Sequence, residues 1–200
     1  MSNAALAPPQ PTARFDTLEQ WLSWQKGLHP RKIDLGLERI TQTLKQLQLE
    51  QPPFIVMTVG CTNGKGSTVA FLEAILRAGG YRVGAYTSPY LLRYNEQIRV
   101  NGNEVEDTVL CEAFAQVDHA RADITLSCFE FSTLAALKIF QEAAIEVAVL
   151  EVGLGGRLDA VNALDADTAV ITTIAIDHVD WLGPDRETVS YTHLRAHETP

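Results

Sequence analysis

The 200 residues suffice for one large α/β domain, or for a domain with a short appendage. Apolar residues make up 46% and charged residues 20%, which supports a packed core and excludes a disordered chain. A net charge of −9 argues against nucleic acid or an anionic membrane as a partner, because holding phosphate at scale takes a basic face. One small phosphate ligand on a single loop remains compatible with it.

Cys61, Cys111 and Cys128 are odd in number and lack metal spacing, so reduced thiols that serve packing are expected. The amino terminus, MSNAALAPPQPT, has no basic region followed by an apolar stretch. No run reaches the ~18 apolar residues of a membrane span. These features predict a cytoplasmic protein.

In chain order, residues 1–14 read as a loose Pro/Ala tail. A short helix over 16–26 is capped by Asp16 or Thr17, with Leu18, Trp21 and Leu22 on one face. Leu37, Ile40, Leu44 and Leu47 predict a helix that Pro52-Pro53 stop. The strand FIVMTV (54–59) runs into GCTNGKGS, and a helix follows with Val69, Leu72, Ile75 and Leu76 on its apolar face, ending at Gly79-Gly80. YRVGAYT (81–87) is a second strand, and IRVNGNEV reads as a hairpin about the Asn101-Gly102 turn. Helices near 107–121 and 130–144 precede VAVLEV (147–152) and TAVITTIA (168–175), two apolar runs that read as buried parallel strands. Strands alternating with helices predict a doubly wound, mostly parallel α/β sheet.

The chemistry concentrates at Gly60-Cys61-Thr62-Asn63-Gly64-Lys65-Gly66-Ser67. A glycine-rich turn between strand and helix aims backbone N–H groups at one point. The positive helix end and the Lys65 ammonium complete a polyphosphate cradle. The spacing departs from the usual phosphate loop: Val59 stands at the first glycine position, and Gly66 separates Lys65 from Ser67. A glycine turn without a ligand is the bland alternative.

In an open parallel sheet, ligands sit beyond the carboxyl ends of the strands. There the sequence places the phosphate loop, Thr87-Ser88-Pro89, Glu151 followed by Gly153-Leu154-Gly155-Gly156-Arg157-Leu158-Asp159, and Asp177-His178. Glu151 interrupts an apolar run, so burying it unpaired is costly, and its oxygens with Ser88 suit magnesium. Ser88 could equally start a Ser-Pro turn, and His178 could cap the strand end or orient Asp177. The glycines could serve only a tight turn. His29, His119, His193 and His197 read as surface residues.

Five segments together resemble the bacterial dihydrofolate synthase/folylpolyglutamate synthase family of the Mur ligase superfamily. They are KIDLGLERI (32–40), TNGKGST (62–68), GAYTSPYLLRYNEQIRVNG (84–102), LEVGLGGRLDAVN (150–162) and ITTIAIDHVDWLGPDRE (171–187). The resemblance implies a central-domain Mur ligase fold over 15–187, with Thr62, Asn63, Gly64 and Lys65 on ATP and Lys65 also in the catalytic step. It implies Ser88, Glu151 and His178 as Mg²⁺ ligands. Lys32, Ile33, Asp34 and Leu35, then Ser127, Cys128, Phe129 and Glu130, then Leu158, Asp159 and Ala160 match segments contacting dihydropteroate.

The implied reaction forms an acyl phosphate on the substrate carboxylate, which the glutamate amino group then converts to an amide. ATP, dihydropteroate or folate, and L-glutamate are the expected small-molecule partners, and a monomer is the expected state. Competing readings are a cell-wall Mur ligase, against which segments 32–35 and 127–130 argue, and a nucleotide-binding module without catalysis. A kinase or GTPase fits less well because of Gly66 and the displaced hydroxyl residue.

Two departures from the family pattern stand out. Cys61 occupies a usual glycine position, tolerable only where φ is not positive. After Glu187 the sequence TVSYTHLRAHETP (188–200) loses all likeness, with His193 where the family has a metal-supporting lysine. That tail reads as a frameshift or an artefact of joining, and the second domain reads as absent, so the 200 residues alone are expected to be inactive.

Overall fold

A computed structural model describes residues 12–176, 185 and 187. Its strands are β1 (Ile55–Gly60), β2 (Val83–Tyr86), β3 (Ile98–Val100), β4 (Asn103–Glu104), β5 (Val147–Glu151) and β6 (Thr168–Ile171). They form one sheet in the order β4-β3-β2-β5-β1-β6. β2, β5, β1 and β6 run parallel, while β3 and β4 add an antiparallel margin. The doubly wound α/β expectation is met.

Strand alternation decides which helix each side chain meets. On one face Val59, Val83, Ala85, Val147 and Val149 pack under α3 (Lys65–Ala78) through Val69, Leu72 and Leu76. On the other, Val56, Tyr86, Ala148 and Leu150 join the larger core. That core is built on α1 (Leu18–Gln25), α2 (Glu38–Gln46), α4 (Asp107–Arg121) and α5 (Cys128–Glu142). α5 is buried at Phe131, Leu134, Leu137 and Phe140 and also at Ser132 and Thr133, as a helix enclosed on most sides must be. Trp21 anchors α1 among Phe15, Trp24, Phe114 and Phe131. Thr17, one of the two expected caps, closes a capping box with Gln20. At the β3–β4 turn, Asn101 and Gly102 have φ of 51° and 78°, as a tight hairpin requires.

The structure corrects two packing expectations. Ile75 lies 65% exposed, one helical turn from the equally bare Phe71, so the packed stripe of α3 runs instead through Val69, Leu72 and Leu76. β6 is a mostly exposed strand, because among the described residues it pairs only with β1. The tail at 188–200, with His193 and His197, lies outside the described residues.

Candidate active site

β1 and β5 are neighbours in register, with Val59 opposite Glu151, so the turns leaving them emerge side by side. After β1 the chain folds into the phosphate loop. Gly64, at φ 83°, is the N-cap of α3 and offers no side-chain acceptor to the first-turn amides, which leaves the helix end suited to an anion. Nζ of Lys65 donates to the carbonyls of Cys61 (2.7 Å) and Thr62 (3.2 Å). The chain leaving β6 pins the loop from the other side. The Thr62 amide donates to the Thr173 carbonyl, Oγ1 of Thr62 exchanges bonds with Ala175, and the Thr172 and Thr173 hydroxyls donate to the Asn63 carbonyl.

Cys61 has a φ of 108°. The position therefore does demand the conformation that favours glycine, and the cysteine holds it under strain. Its side chain is buried, and burial pushes the thiol pKa up, so it is a packing group with little thiolate. Cys111 is half-buried, whereas Cys128 is exposed and not the packing residue expected. The thiols of both are likewise pushed up by burial.

Glu151 points to the α3 face and is 5% exposed. Its Oε2 accepts from the Ser88 backbone N–H at 3.2 Å, and a methyl group on Gly66 would lie 3.6 Å from the same oxygen. Ser88, Glu151 and the start of α3 therefore share one rim. Burial raises the Glu151 pKa, opposed by the Ser88 amide and the charges of Lys65 and Arg99. Asp177 and His178 lie outside the described residues, so the proposed third metal ligand is not placed. Among the described residues no three His, Cys, Asp or Glu side chains cluster as a self-sufficient metal site. A carboxylate beside a serine and a phosphate cradle is instead a hard-oxygen donor set of the kind magnesium completes with phosphate and water.

The three segments matched to the pteroate site also converge. Ser127 caps α5 in a reciprocal box with Glu130, whose 2%-exposed carboxylate pairs with Arg39. Arg39 also binds Asp34, so 32–35 and 127–130 are tied through one guanidinium. The Gly36 amide donates to the Leu158 carbonyl, joining the 153–160 turn. Phe129 packs so closely on Gly153 that an added methyl would sit 2.6 Å from its ring. Lys32, Ile33 and Leu158 are exposed, while Asp34, Leu35 and Phe129 are half-buried. Ala160 and Asp159 are buried.

Asp159 accepts from the Leu154 and Val161 amides. Burial outweighs those bonds and lifts its pKa to about 7, with Lys65 among the groups opposing the rise.

Sequence reasoning missed His29 and Arg39. His29 is not a surface residue: its ring nitrogens bond Thr125 (3.0 Å) and Asp34 (2.9 Å), and its side chain is 8% exposed. The His29 bond, ahead of the Arg39 and Arg31 charges, holds Asp34 below the usual carboxylate range. The S-x-x-E capping pattern at 127–130 was a readable sign of the Ser127–Glu130 box. No local pattern announces the long-range His29 and Arg39 contacts.

No family model matches the chain. It is 52% identical over 172 residues to the dihydrofolate synthase/folylpolyglutamate synthase of Escherichia coli strain K12, covering 86% of the chain and 41% of that relative. To the Bacillus subtilis enzyme of the same name it is 34% identical, covering 88% of the chain and 43% of the relative. Escherichia coli FolC in complex with DHPP and ADP superposes with a TM-score of 0.88 at 50% identity, covering 89% of this chain and 43% of that one. A bifunctional folylpolyglutamate synthase/dihydrofolate synthase with Mn, AMPPNP and L-glutamate bound gives 0.84 at 49% identity, covering 92% and 45%. The chain spans about two fifths of the length of these relatives. It belongs to the dihydrofolate synthase/folylpolyglutamate synthase family, corresponding to its amino-terminal part.

Proposed function

We propose that this chain is the ATP-binding part of a ligase that joins L-glutamate to dihydropteroate and to folates. The observation that carries the reading is the shared rim on which the phosphate loop and the Ser88–Glu151 bond meet. Thr62, Asn63, Gly64 and Lys65 hold the triphosphate. Ser88, Glu151 and His178 would hold Mg²⁺, which when bound would neutralise charge on the phosphoryl oxygens. Lys32–Leu35, Ser127–Glu130 and Leu158–Ala160 form the pteroate wall, in which Asp159 and Glu130 shape the backbone and the more exposed groups meet the ligand.

In the reaction, a substrate carboxylate oxygen attacks the γ-phosphorus and the bond to the β-phosphate oxygen breaks, releasing ADP. The glutamate nitrogen then attacks the acyl carbon, phosphate leaves, and the nitrogen loses a proton. Lys65 leaves the Cys61 and Thr62 carbonyls for the phosphoryl oxygens and stabilises the charge that develops there. Residues 15–187 are proposed as the folding unit, acting in the cytoplasm within a monomer. Identities near 50% to folate ligases favour this reading over a cell-wall Mur ligase.

Calorimetric titration with AMPPNP and Mg²⁺ tests the nucleotide site, with binding expected for the chain and lost in Lys65→Ala. Grafting the carboxy-terminal part of the Escherichia coli relative after residue 187 tests the chemistry. Dihydrofolate formed from dihydropteroate, ATP and glutamate supports the ligase, whereas nucleotide binding without product supports the bare binding module.

A further inference from the structure

α3 carries one charge on its packed side. Glu73 is 6% exposed, lying between Val69 and Leu76 along the face that meets the sheet. Its Oε2 accepts from Nε of Arg99 at 3.1 Å and lies 3.0 Å from Nη2 in the same ion pair, while Oε1 has no hydrogen-bond partner among the described residues. Arg99 stands opposite Ala85 in the β2–β3 register and therefore shares the α3 face. Its Nη1 donates to Oγ1 of Thr87 (3.2 Å) and to the Glu96 carbonyl (2.9 Å). The Glu96 carboxylate accepts from the amides of Leu91, Leu92 and Arg93, which fold the chain after Ser88 into a closed loop.

One guanidinium thus joins the helix that opens at the phosphate loop to both ends of the loop that presents Ser88. Burying such a pair carries a desolvation cost that apolar residues of the same size avoid. Packing alone does not call for it.

We propose that Arg99, anchored by Glu73, is a positioning residue that fixes the Ser88 loop against the phosphate loop and so sets the gap that a divalent cation spans. The proposal rests on the reading of Ser88 and Glu151 as metal-site groups. Arg99 holds the loop through Thr87 and Glu96, and its charge also favours the ionised form of Glu151. Outer groups that orient metal ligands change metal affinity when removed, even though they make no bond to the ion.

The test uses the chain itself, with Mn²⁺ as the probe ion and its free fraction read by electron paramagnetic resonance in the presence of AMPPNP. Binding of AMPPNP without metal is measured in parallel by calorimetry. Arg99→Met is expected to weaken Mn²⁺ binding about ten- to a hundredfold while metal-free AMPPNP binding stays within about twofold. Glu73→Gln, a milder change of the same shape, should move Mn²⁺ affinity in the same direction. The double variant should be no worse than Arg99→Met, because both remove one contact. Arg99→Lys should recover only part of the loss, since an ammonium cannot serve three acceptors in a plane.

Glu151→Gln separates the two layers of the claim. If it leaves Mn²⁺ affinity unchanged, the metal-site reading fails and the clamp fails with it. If Glu151→Gln weakens Mn²⁺ but Arg99→Met and Glu73→Gln do not, the clamp alone is overturned. Equal losses in metal-dependent and metal-free nucleotide binding would also overturn it, as they would mark a general structural role.

Discussion

The backbone N–H of Ser88 donates to Oε2 of Glu151 at 3.2 Å across 63 residues of sequence. The two residues are brought together because β2 and β5 are parallel neighbours, with Tyr86 opposite Leu150 and the chain leaving both strands on the same side. Glu151 completes no ion pair in the described structure, and its carboxylate is raised in pKa by burial. A carboxyl raised in this way favours the fold while protonated and costs stability once ionised.

Glu151→Gln should therefore raise the melting temperature increasingly as pH rises, as ionisation of the native carboxyl grows more costly, and should abolish metal-dependent nucleotide binding. Scanning calorimetry and AMPPNP titration with and without Mg²⁺ check the two halves. A variant that melts earlier at high pH would show that the charge of Glu151 stabilises the fold despite its burial.

Cys61 at φ 108° inverts a usual preference. Glycine is ordinarily about 0.5–1 kcal/mol worse than alanine in a folded chain. Here Cys61→Ala keeps the strained φ and Cys61→Gly releases it. The glycine variant should be the more stable of the two by roughly 1 kcal/mol, the lower end of what such strain costs. Urea unfolding of the pair decides it.

Gly153 lies beneath the Phe129 ring, with 2.6 Å between an added Cβ and Cζ. Gly153→Ala should destabilise the chain by about 1–3 kcal/mol and displace Phe129 from the proposed pteroate wall. Dihydropteroate binding, followed by fluorescence, should weaken. Phe129→Leu combined with Gly153→Ala should recover part of the lost stability, because the smaller side chain makes room.

Asp159, with its pKa lifted from 3.8 to about 7, predicts a pH dependence of defined sign. The folded pKa lies above the unfolded one, so its favourable contribution is fully present below about pH 4 and is lost as pH rises through 7. Over that window the group should cost on the order of 4 kcal/mol. Asp159→Asn removes the titration and should flatten the fall in stability between pH 4 and 8, measured by urea midpoints in the two chains. A difference between them that stays constant with pH would show that Asp159 is ionised throughout.

The sequence alone determined the alternation of strands and helices, because apolar period, caps and breakers are local quantities. It also marked the candidate site: the turn at Cys61–Ser67, the charge within the Val147–Val152 run, and the Ser88 turn are visible without partners. Only the tertiary structure decided the insertion of β5 between β2 and β1, which places Glu151 against Ser88 and Gly66. It also decided that His29, Arg39, Glu73 and Arg99 are working contacts between distant segments. A histidine or arginine looks the same in sequence whether its partner is water or a side chain 26 to 96 residues away. Strand order selects that partner, and strand order follows from the packing of all the helices together.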